Sequence, residues 1–472
     1  MTVSPPDRSL VRLLAGWLPA QRWFGGKDGP IDDLSIGTVT ELLPGDPALH
    51  HLILDVLQDG VTDHYQLLLG VRSDLPDRLR PTLIGRLAGD RGFDGHVYDA
   101  AHDAELTRPL LAHLADETAA GPVRFRRAPG TGLRTDLDGV PTTAEQSNTS
   151  LVFGDAYILK LFRRLSPGVN PDLEVNLALS RQGCEHVPVV HGWVELEPDK
   201  AGDDPVTLAL LSEFLRSATD GWQLALTSVR DWFAQPATAA PTTAGAGDAG
   251  GDFAAEAERL GAATAAVHRD LAAAFGVSQT PAARVRDVVF GMHRQLDEVG
   301  AVVPELRPYS HAIREAFDRL AAQAEPLTYQ RVHGDYHLGQ VMRTDTGWTV
   351  LDFEGEPARP PAERRAPAHP LRDVAGMLRS FEYAARFLLA RDGDVPPDAA
   401  ETLELRARAW AERNRAAFCA GYAAAGGPDP AEHEALLRAF ELDKAVYEIR
   451  YEARNRPSWL PVPLRSLAHL AD

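Results

Sequence analysis

His333-Gly334-Asp335-Tyr336-His337-Leu338-Gly339-Gln340, followed after a short strand–turn–strand by Leu351-Asp352-Phe353-Glu354-Gly355-Glu356, is the most informative stretch of the chain. Three polar groups stand out in it: the Asp335 carboxylate, the Gln340 amide and the Asp352 carboxylate. A carboxylate can take the proton of a reacting hydroxyl, and carboxylate and amide oxygens are the ligands a hard divalent cation such as magnesium prefers. His333 and His337 flank Asp335, but imidazole nitrogen matches magnesium poorly, so both are expected to brace the loop. A lone His-Gly-Asp would mark a tight turn and nothing more. The second aspartate on the next hairpin argues against that plain reading.

These are the groups that phosphoryl transfer from ATP requires, because catalysis there is mainly positioning and charge neutralisation. The spacing resembles the kinase catalytic loop, in which an Asp is followed five residues later by an amide ligand and a second Asp lies on the next hairpin. By that resemblance Asp335 orients the acceptor hydroxyl and accepts its proton, while Gln340 and Asp352 hold magnesium. Two departures are visible. Gln340 stands where Asn is usual, and Asp352-Phe353-Glu354-Gly355 carries one residue more than Asp-Phe-Gly. Glu354 stays open between a further ligand and an acceptor of metal-bound water.

Upstream, Thr149–Phe153 and Tyr157–Phe162 read as a strand pair joined at Gly154-Asp155. Lys160 on the second strand is the candidate cation for the phosphates. The preceding Ser147-Asn148-Thr149-Ser150 would let backbone amides approach phosphate oxygens, although no Walker-type or Gly-x-Gly-x-x-Gly run is present. Glu174, early on the helix Asp172–Ser180, is the expected partner of Lys160, with stabilisation of the helix dipole as its competing role. Thr207–Leu211 reads as a strand running into Ser212-Glu213-Phe214-Leu215, which resembles the connector between kinase lobes and assigns Glu213 and Leu215 to the nucleotide.

Residues 1–105 read as an α+β cap, with an amphipathic helix at Ser9–Leu18 and strands His51–Leu57 and His64–Val71 joined at Asp59-Gly60. Trp17, Trp23 and Phe24 are assigned to its packing. Residues 106–215 are expected to form an intermediate segment and the nucleotide lobe, and 216–472 a helical lobe. Its helices are expected at Glu256–Phe275, Arg284–Val299, His311–Ala322, Pro370–Ala390, Asp398–Ala425 and Pro430–Arg454. Pro236–Asp252, rich in Ala, Thr, Gly and Pro, is expected to be a mobile loop with little to bury. Arg372 and Asp373 read as braces for the catalytic loop. Glu448, Tyr451 and Glu452 fall at helical spacing, with Arg456 and Trp459 following. Periodicity alone reads them equally as a charged helix face with a core Trp. The expected fold is α+β: a eukaryotic-like bilobal kinase with an N-terminal α+β cap, a mainly helical C-lobe, and ATP between the lobes.

A formal charge of −19 argues against partners that need clustered cations, namely nucleic acid and anionic membrane. The two cysteines, Cys184 and Cys419, lie far apart with no metal-ligand spacing, which points to a reducing cytoplasm. No leader peptide or bilayer-length apolar run is read, so a cytoplasmic protein is expected.

The catalytic motifs sit beside other distinctive segments: Gln21-Arg22-Trp23-Phe24, Glu145-Gln146-Ser147-Asn148-Thr149-Ser150, Leu159–Arg164 with Asn170-Pro171-Asp172, Leu371–Gly376, and Tyr447-Glu448 and Tyr451-Glu452 through Trp459-Leu460-Pro461. Together they resemble the maltokinases of the aminoglycoside phosphotransferase superfamily over nearly the whole chain. The resemblance implies ATP- and Mg2+-dependent phosphorylation of maltose to maltose 1-phosphate, feeding α-glucan or glycogen synthesis, with trehalose synthase as an associated enzyme. It assigns His337, Glu448, Tyr451, Glu452, Arg456 and Trp459 to the sugar. Glucosamine kinases share many of these motifs, which makes glucosamine the alternative acceptor. A non-catalytic sugar-binding regulator of trehalose synthase is the rival from another class. Retention of Lys160, Asp335, Gln340 and Asp352 speaks against it, since a binding module needs no base and metal ligands together.

Overall fold

The computed structural model describes residues 8–27, 29–88, 93–142, 147–198, 200, 202, 204–236, 239–249, 251–323, 325–356, 359, 361–391 and 397–471. Glu145 and Gln146 of the motif segments lie outside them. The chain divides into two compact units, residues 1–177 with 188–216, and residues 178–187 with 217–472.

The first unit opens with helix α1 (Arg8–Trp17), whose Leu10 and Leu14 are buried. Strands β1 (Asp33–Leu43), β2 (Ala48–Gln58), β3 (Val61–Arg72), β4 (Leu83–Leu87) and β5 (Gly95–Asp99) form a sheet in the order β1-β2-β3-β5-β4. The β2–β3 turn uses Asp59 (φ 48°) and Gly60 (φ 76°), the double left-handed conformation that a two-residue hairpin favours. After helix α2 (Ala104–Ala115) come β6 (Ala119–Ala120), β7 (Val123–Arg127), β8 (Gly139–Pro141), β9 (Thr149–Phe153), β10 (Tyr157–Leu161), β11 (Arg164–Leu165), helix α3 (Pro171–Gln182), β12 (Val190–Leu196) and β13 (Val206–Glu213). A second sheet runs β6-β7-β12-β13-β10-β9-β8.

The two sheets are not independent layers. β2 is buried along nearly its whole length, because Leu52 and Leu54 face the core under α1 while Leu49 and Ile53 join the core beneath the second sheet. β11 leaves β10 and pairs with β3, Arg164 opposite Tyr65. Between them Arg163, its side chain 1% exposed, donates to Asp99 Oδ2 (2.7 Å) and Thr149 Oγ1 (2.8 Å) and lies 4.8 Å over the Trp23 ring. The Gln66 amide donates to the carbonyls of Phe162 and Leu208. Trp23 and Phe24 are buried, as cap packing requires.

The second unit contains helices α4 (Gly221–Phe233), α5 (Thr243–Asp248), α6 (Ala254–Phe275), α7 (Ala282–Val302), α8 (Ser310–Ala322), α9 (Pro361–Arg364), α10 (Leu371–Arg391), α11 (Pro397–Ala424), α12 (Glu434–Asn455) and α13 (Pro461–Ala471). β14 (Thr219–Asp220), β17 (Val341–Arg343) and β18 (Trp348–Val350) make a small sheet, and β15 (Val277–Thr280) pairs with β16 (Leu327–Gln330). Two expectations are corrected. Pro236–Asp252 is not a featureless loop: Thr242 caps α5 through a hydrogen bond to the Gly245 N–H, and Ala246 and Ala249 are buried. Small apolar side chains suffice where the neighbour comes close. The last long helix starts at Glu434, after turns at 430–433.

Candidate active site

In the second unit β16 leads into residues 331–340, and the β17–β18 hairpin returns the chain at 351–356. The loop is tied from behind. Asp373, in the first turn of α10, accepts the backbone N–H groups of His333 (2.7 Å) and Gly334 (2.9 Å), and its Oδ2 lies 3.0 Å from His268 Nε2 on α6. Burial raises the Asp373 pKa, but the His268 bond and these N–H donors outweigh it and hold the group below the usual range. Gly334 adopts φ 89°, and α10 approaches so closely at Gly376 that a Cβ there would stand 2.5 Å from the Tyr336 carbonyl oxygen. Asp373 thus performs the bracing role read from the sequence.

His333 fastens the two halves of the motif to each other. Its Nδ1 accepts the Asp335 N–H (3.3 Å), so Nε2 carries the proton and donates to the Leu351 carbonyl (2.8 Å). His337 Nδ1 likewise accepts the Gly339 N–H (3.0 Å), leaving Nε2 as the proton-bearing nitrogen. Burial lowers the His337 pKa against the pull of Asp335, which favours this neutral form.

Asp335 Oδ1 lies 3.1 Å from Nζ of Lys444 on α12, and the same ammonium is 2.8 Å from Glu356 Oε1. Burial pushes the Asp335 carboxyl up, yet Lys444, together with His337 and His333, more than compensates and keeps it below the ordinary carboxylate range. The loop therefore presents an ionised carboxylate. Lys444 was not singled out in the sequence, although extending the Glu448–Glu452 stripe one turn toward the N-terminus reaches it.

Gln340 Nε2 donates to Asp352 Oδ2 (3.0 Å), which orients the amide and leaves its oxygen as the candidate metal ligand. Asp352 adopts φ 65°, an uncommon conformation for a residue with a Cβ. One oxygen of Asp352 and one of Glu354 lie within 4.8 Å of each other. Carboxylate oxygens at this spacing fit a hard cation of the magnesium type.

In the first unit Lys160 on β10 stands opposite Ser150 of β9, and its Nζ is 3.0 Å from Asp172 Oδ2. Asp172 sits in the first turn of α3, where Asn170 accepts its N–H and Asn176 Nδ2 donates to its carboxylate. Glu174, the partner expected from the sequence, lies two residues further along in the same first turn. Ser147 is exposed, Asn148 and Thr149 are half-buried, and Ser150 is buried. Glu213 ends β13 exposed, and Leu215 follows half-buried.

The C-terminal candidates fall into two clusters. Glu448 Oε2 is 2.7 Å from Nη2 of Arg379, a side chain only 1% exposed, and Arg379 also donates to Ser466 on α13. Glu452, buried, accepts from Tyr383 (2.8 Å) and from Arg456 (2.6 and 2.9 Å). The Arg456 guanidinium covers the rings of Tyr451 (5.4 Å) and Trp459 (5.0 Å). The α12 side chain in contact with Asp335 is Lys444.

A model of the maltokinase N-terminal cap domain matches residues 17–103, and one of the phosphotransferase enzyme family matches residues 139–436. A glucosamine kinase of Streptacidiphilus jiangxiensis is 30% identical over 396 residues, 79% of this chain and 84% of its own. One of Mycolicibacterium smegmatis is 31% identical over 338 residues, 70% of this chain and 79% of its own. Among solved structures, a glucosamine kinase crystal form matches with TM-score 0.67 at 25% identity, covering 98% of this chain and 99% of that one. A glucosamine kinase in complex with glucosamine, ADP and inorganic phosphate matches with TM-score 0.65 at 24% identity, covering 99% and 100%. Among the described residues no helix is long and apolar enough to cross a membrane.

Proposed function

Because this chain belongs to the phosphotransferase enzyme family and carries a maltokinase-type cap domain, we propose that it transfers the γ-phosphoryl group of ATP to maltose, giving maltose 1-phosphate. The observation that carries the reading is the Asp335 carboxylate, kept ionised by Lys444 on a loop that also brings Gln340 to Asp352. Asp335 orients the acceptor hydroxyl and takes its proton as the bond to phosphorus forms. Gln340 and Asp352 would hold magnesium, which would supply charge neutralisation at the phosphates. Lys160, oriented by Asp172, and the amides of Ser147, Asn148, Thr149 and Ser150 are assigned to the phosphates, with Glu213 and Leu215 at the nucleotide. His337, Glu448, Tyr451, Glu452, Arg456 and Trp459 are assigned to the sugar, Glu448 being paired with Arg379 and Glu452 with Arg456. The product would serve α-glucan synthesis in the cytoplasm, next to trehalose synthase.

The names of the similar proteins favour a second reading, in which glucosamine is the acceptor. Incubation with ATP, Mg2+ and, separately, maltose, glucosamine and glucose decides between them by product identification. Maltose 1-phosphate as the dominant product supports the proposal. Glucosamine phosphate moves the acceptor while keeping the mechanism, and no phosphorylated sugar overturns both.

A further inference from the structure

We infer that Lys444 selects the acceptor by charge, admitting neutral sugars and rejecting those that carry an ammonium group. The inference rests on the reading of Asp335 as the group that meets the acceptor hydroxyl.

Lys444 Nζ is 3.1 Å from Asp335 Oδ1, so any hydroxyl that reaches this carboxylate approaches a fixed ammonium as well. The ammonium has little freedom to withdraw. Glu356 holds it at 2.8 Å, and it lies 4.6 Å over the Tyr447 ring one turn along α12. Glu356 does not belong to Lys444 alone: Arg359 Nε is 2.6 Å from its other carboxylate oxygen, and Arg359 Nη1 lies 3.9 Å from Glu363 Oε2.

A cavity beside Lys444 is lined by two further acids, Asp373 and Asp443, and both have partners of their own. Asp373, which lines it, is bound by His268 and two backbone N–H groups. Asp443, which also lines it, accepts from Gln295, and burial raises its pKa. Farther along α12, Glu448 is paired with Arg379 and Glu452 with Arg456. An amino sugar placed against Asp335 would need a carboxylate of its own for the ammonium. Against Asp335 it meets a like charge beside the reacting hydroxyl, where partial burial weakens screening. Glucose and glucosamine differ in a single substituent, so they isolate this effect from shape.

The test compares kcat/KM for glucosamine and glucose in the wild type, Lys444→Met and Lys444→Arg. The wild type is expected to favour glucose, Lys444→Met to raise the glucosamine-to-glucose ratio by about tenfold or more, and Lys444→Arg to keep the wild-type ratio. An unchanged ratio in a folded Lys444→Met, or a wild type that prefers glucosamine, overturns the inference. Should Lys444→Met not fold, the wild type alone decides. Its glucosamine-to-glucose ratio should climb as pH is raised through the titration of the sugar's own amine, and a flat ratio overturns the inference. Asp335→Asn separates the two levels. If it retains turnover, the reading of the site fails. If it is inactive while the ratio stays fixed in Lys444→Met, only the role of Lys444 fails.

Discussion

Gly334 donates its backbone N–H to Asp373 Oδ1 at 2.9 Å while holding a left-handed φ of 89°. The carboxylate thus grips the peptide just before Asp335, and the glycine lets the chain turn there. Asp373→Asn would present an NH2 group toward donors on one side. A stability loss of about 2 kcal/mol and a turnover loss of about tenfold or more are expected, with nucleotide affinity nearly unchanged. Denaturant unfolding and ATP titration check this. A Cβ on Gly334 meets only Gly355 Cα, at ordinary contact distance (3.5 Å), so Gly334→Ala tests the backbone conformation itself, at about 1 kcal/mol.

Asp335→Asn should bind the magnesium–nucleotide complex while turnover falls about 10²- to 10⁴-fold, the usual worth of a general base. Asp352→Asn should instead raise the magnesium concentration needed for half-maximal rate. Calorimetric titration of nucleotide with and without magnesium distinguishes them. Wild-type rates in both would remove the assignments.

The pH profile reports on Lys444. Burial raises the Asp335 pKa and Lys444 lowers it, with the cation prevailing, so the base is ionised at and below neutral pH and the acid limb of kcat should lie below the usual carboxylate range. In Lys444→Met burial is opposed only by His337 and His333. The limb should move upward, and a limb that stays in place would show that another cation sets the charge of Asp335.

Glu448→Ala leaves the buried Arg379 charge without its carboxylate, so a destabilisation of about 3–5 kcal/mol is expected. Pairing this with the sugar KM separates roles: a lower unfolding midpoint with little KM change marks a structural tie, and the reverse marks a sugar ligand.

His51 on β2 is buried, its Nε2 bonded to Gln66 and its Nδ1 without a partner among the described residues. Burial lowers its pKa from 6.5 to about 4. The unfolded chain therefore binds the proton more tightly. This contribution to stability is whole above pH 6.5 and shrinks by about 3 kcal/mol as pH falls toward 4. His51→Gln should flatten that part of the unfolding free energy against pH.

The catalytic loop was legible because its chemistry lies in short, fixed spacings: Asp335, Gln340 and Asp352 are separated by one turn and one hairpin. The hairpins at Asp59-Gly60 and Gly154-Asp155, and most long helices, could be read for the same local reasons. Lys444 was not legible, since it meets Asp335 across 109 residues and helical periodicity gives a stripe without naming its partner. Asp172 and Glu174 are both acids of one first turn, and sequence alone did not bring out Asp172, whose Oδ2 lies 3.0 Å from Lys160 Nζ. Composition misled at 236–252, where Ala246 and Ala249 are buried at a short helix capped by Thr242. β11 is two residues long and carries no periodic signal at all.

Arg163 sits where the lysine strand crosses into the first sheet, fastened to Asp99 and Thr149 and covered by Trp23. Such a joint makes the N-terminal domain a poor candidate for exchange by recombination. A foreign domain arriving without its own counterparts of Asp99 and Trp23 would strand a buried guanidinium next to Lys160. The two pieces are thus bound to descend together, and genealogies drawn separately from residues 17–103 and 149–165 of related chains should branch in the same order.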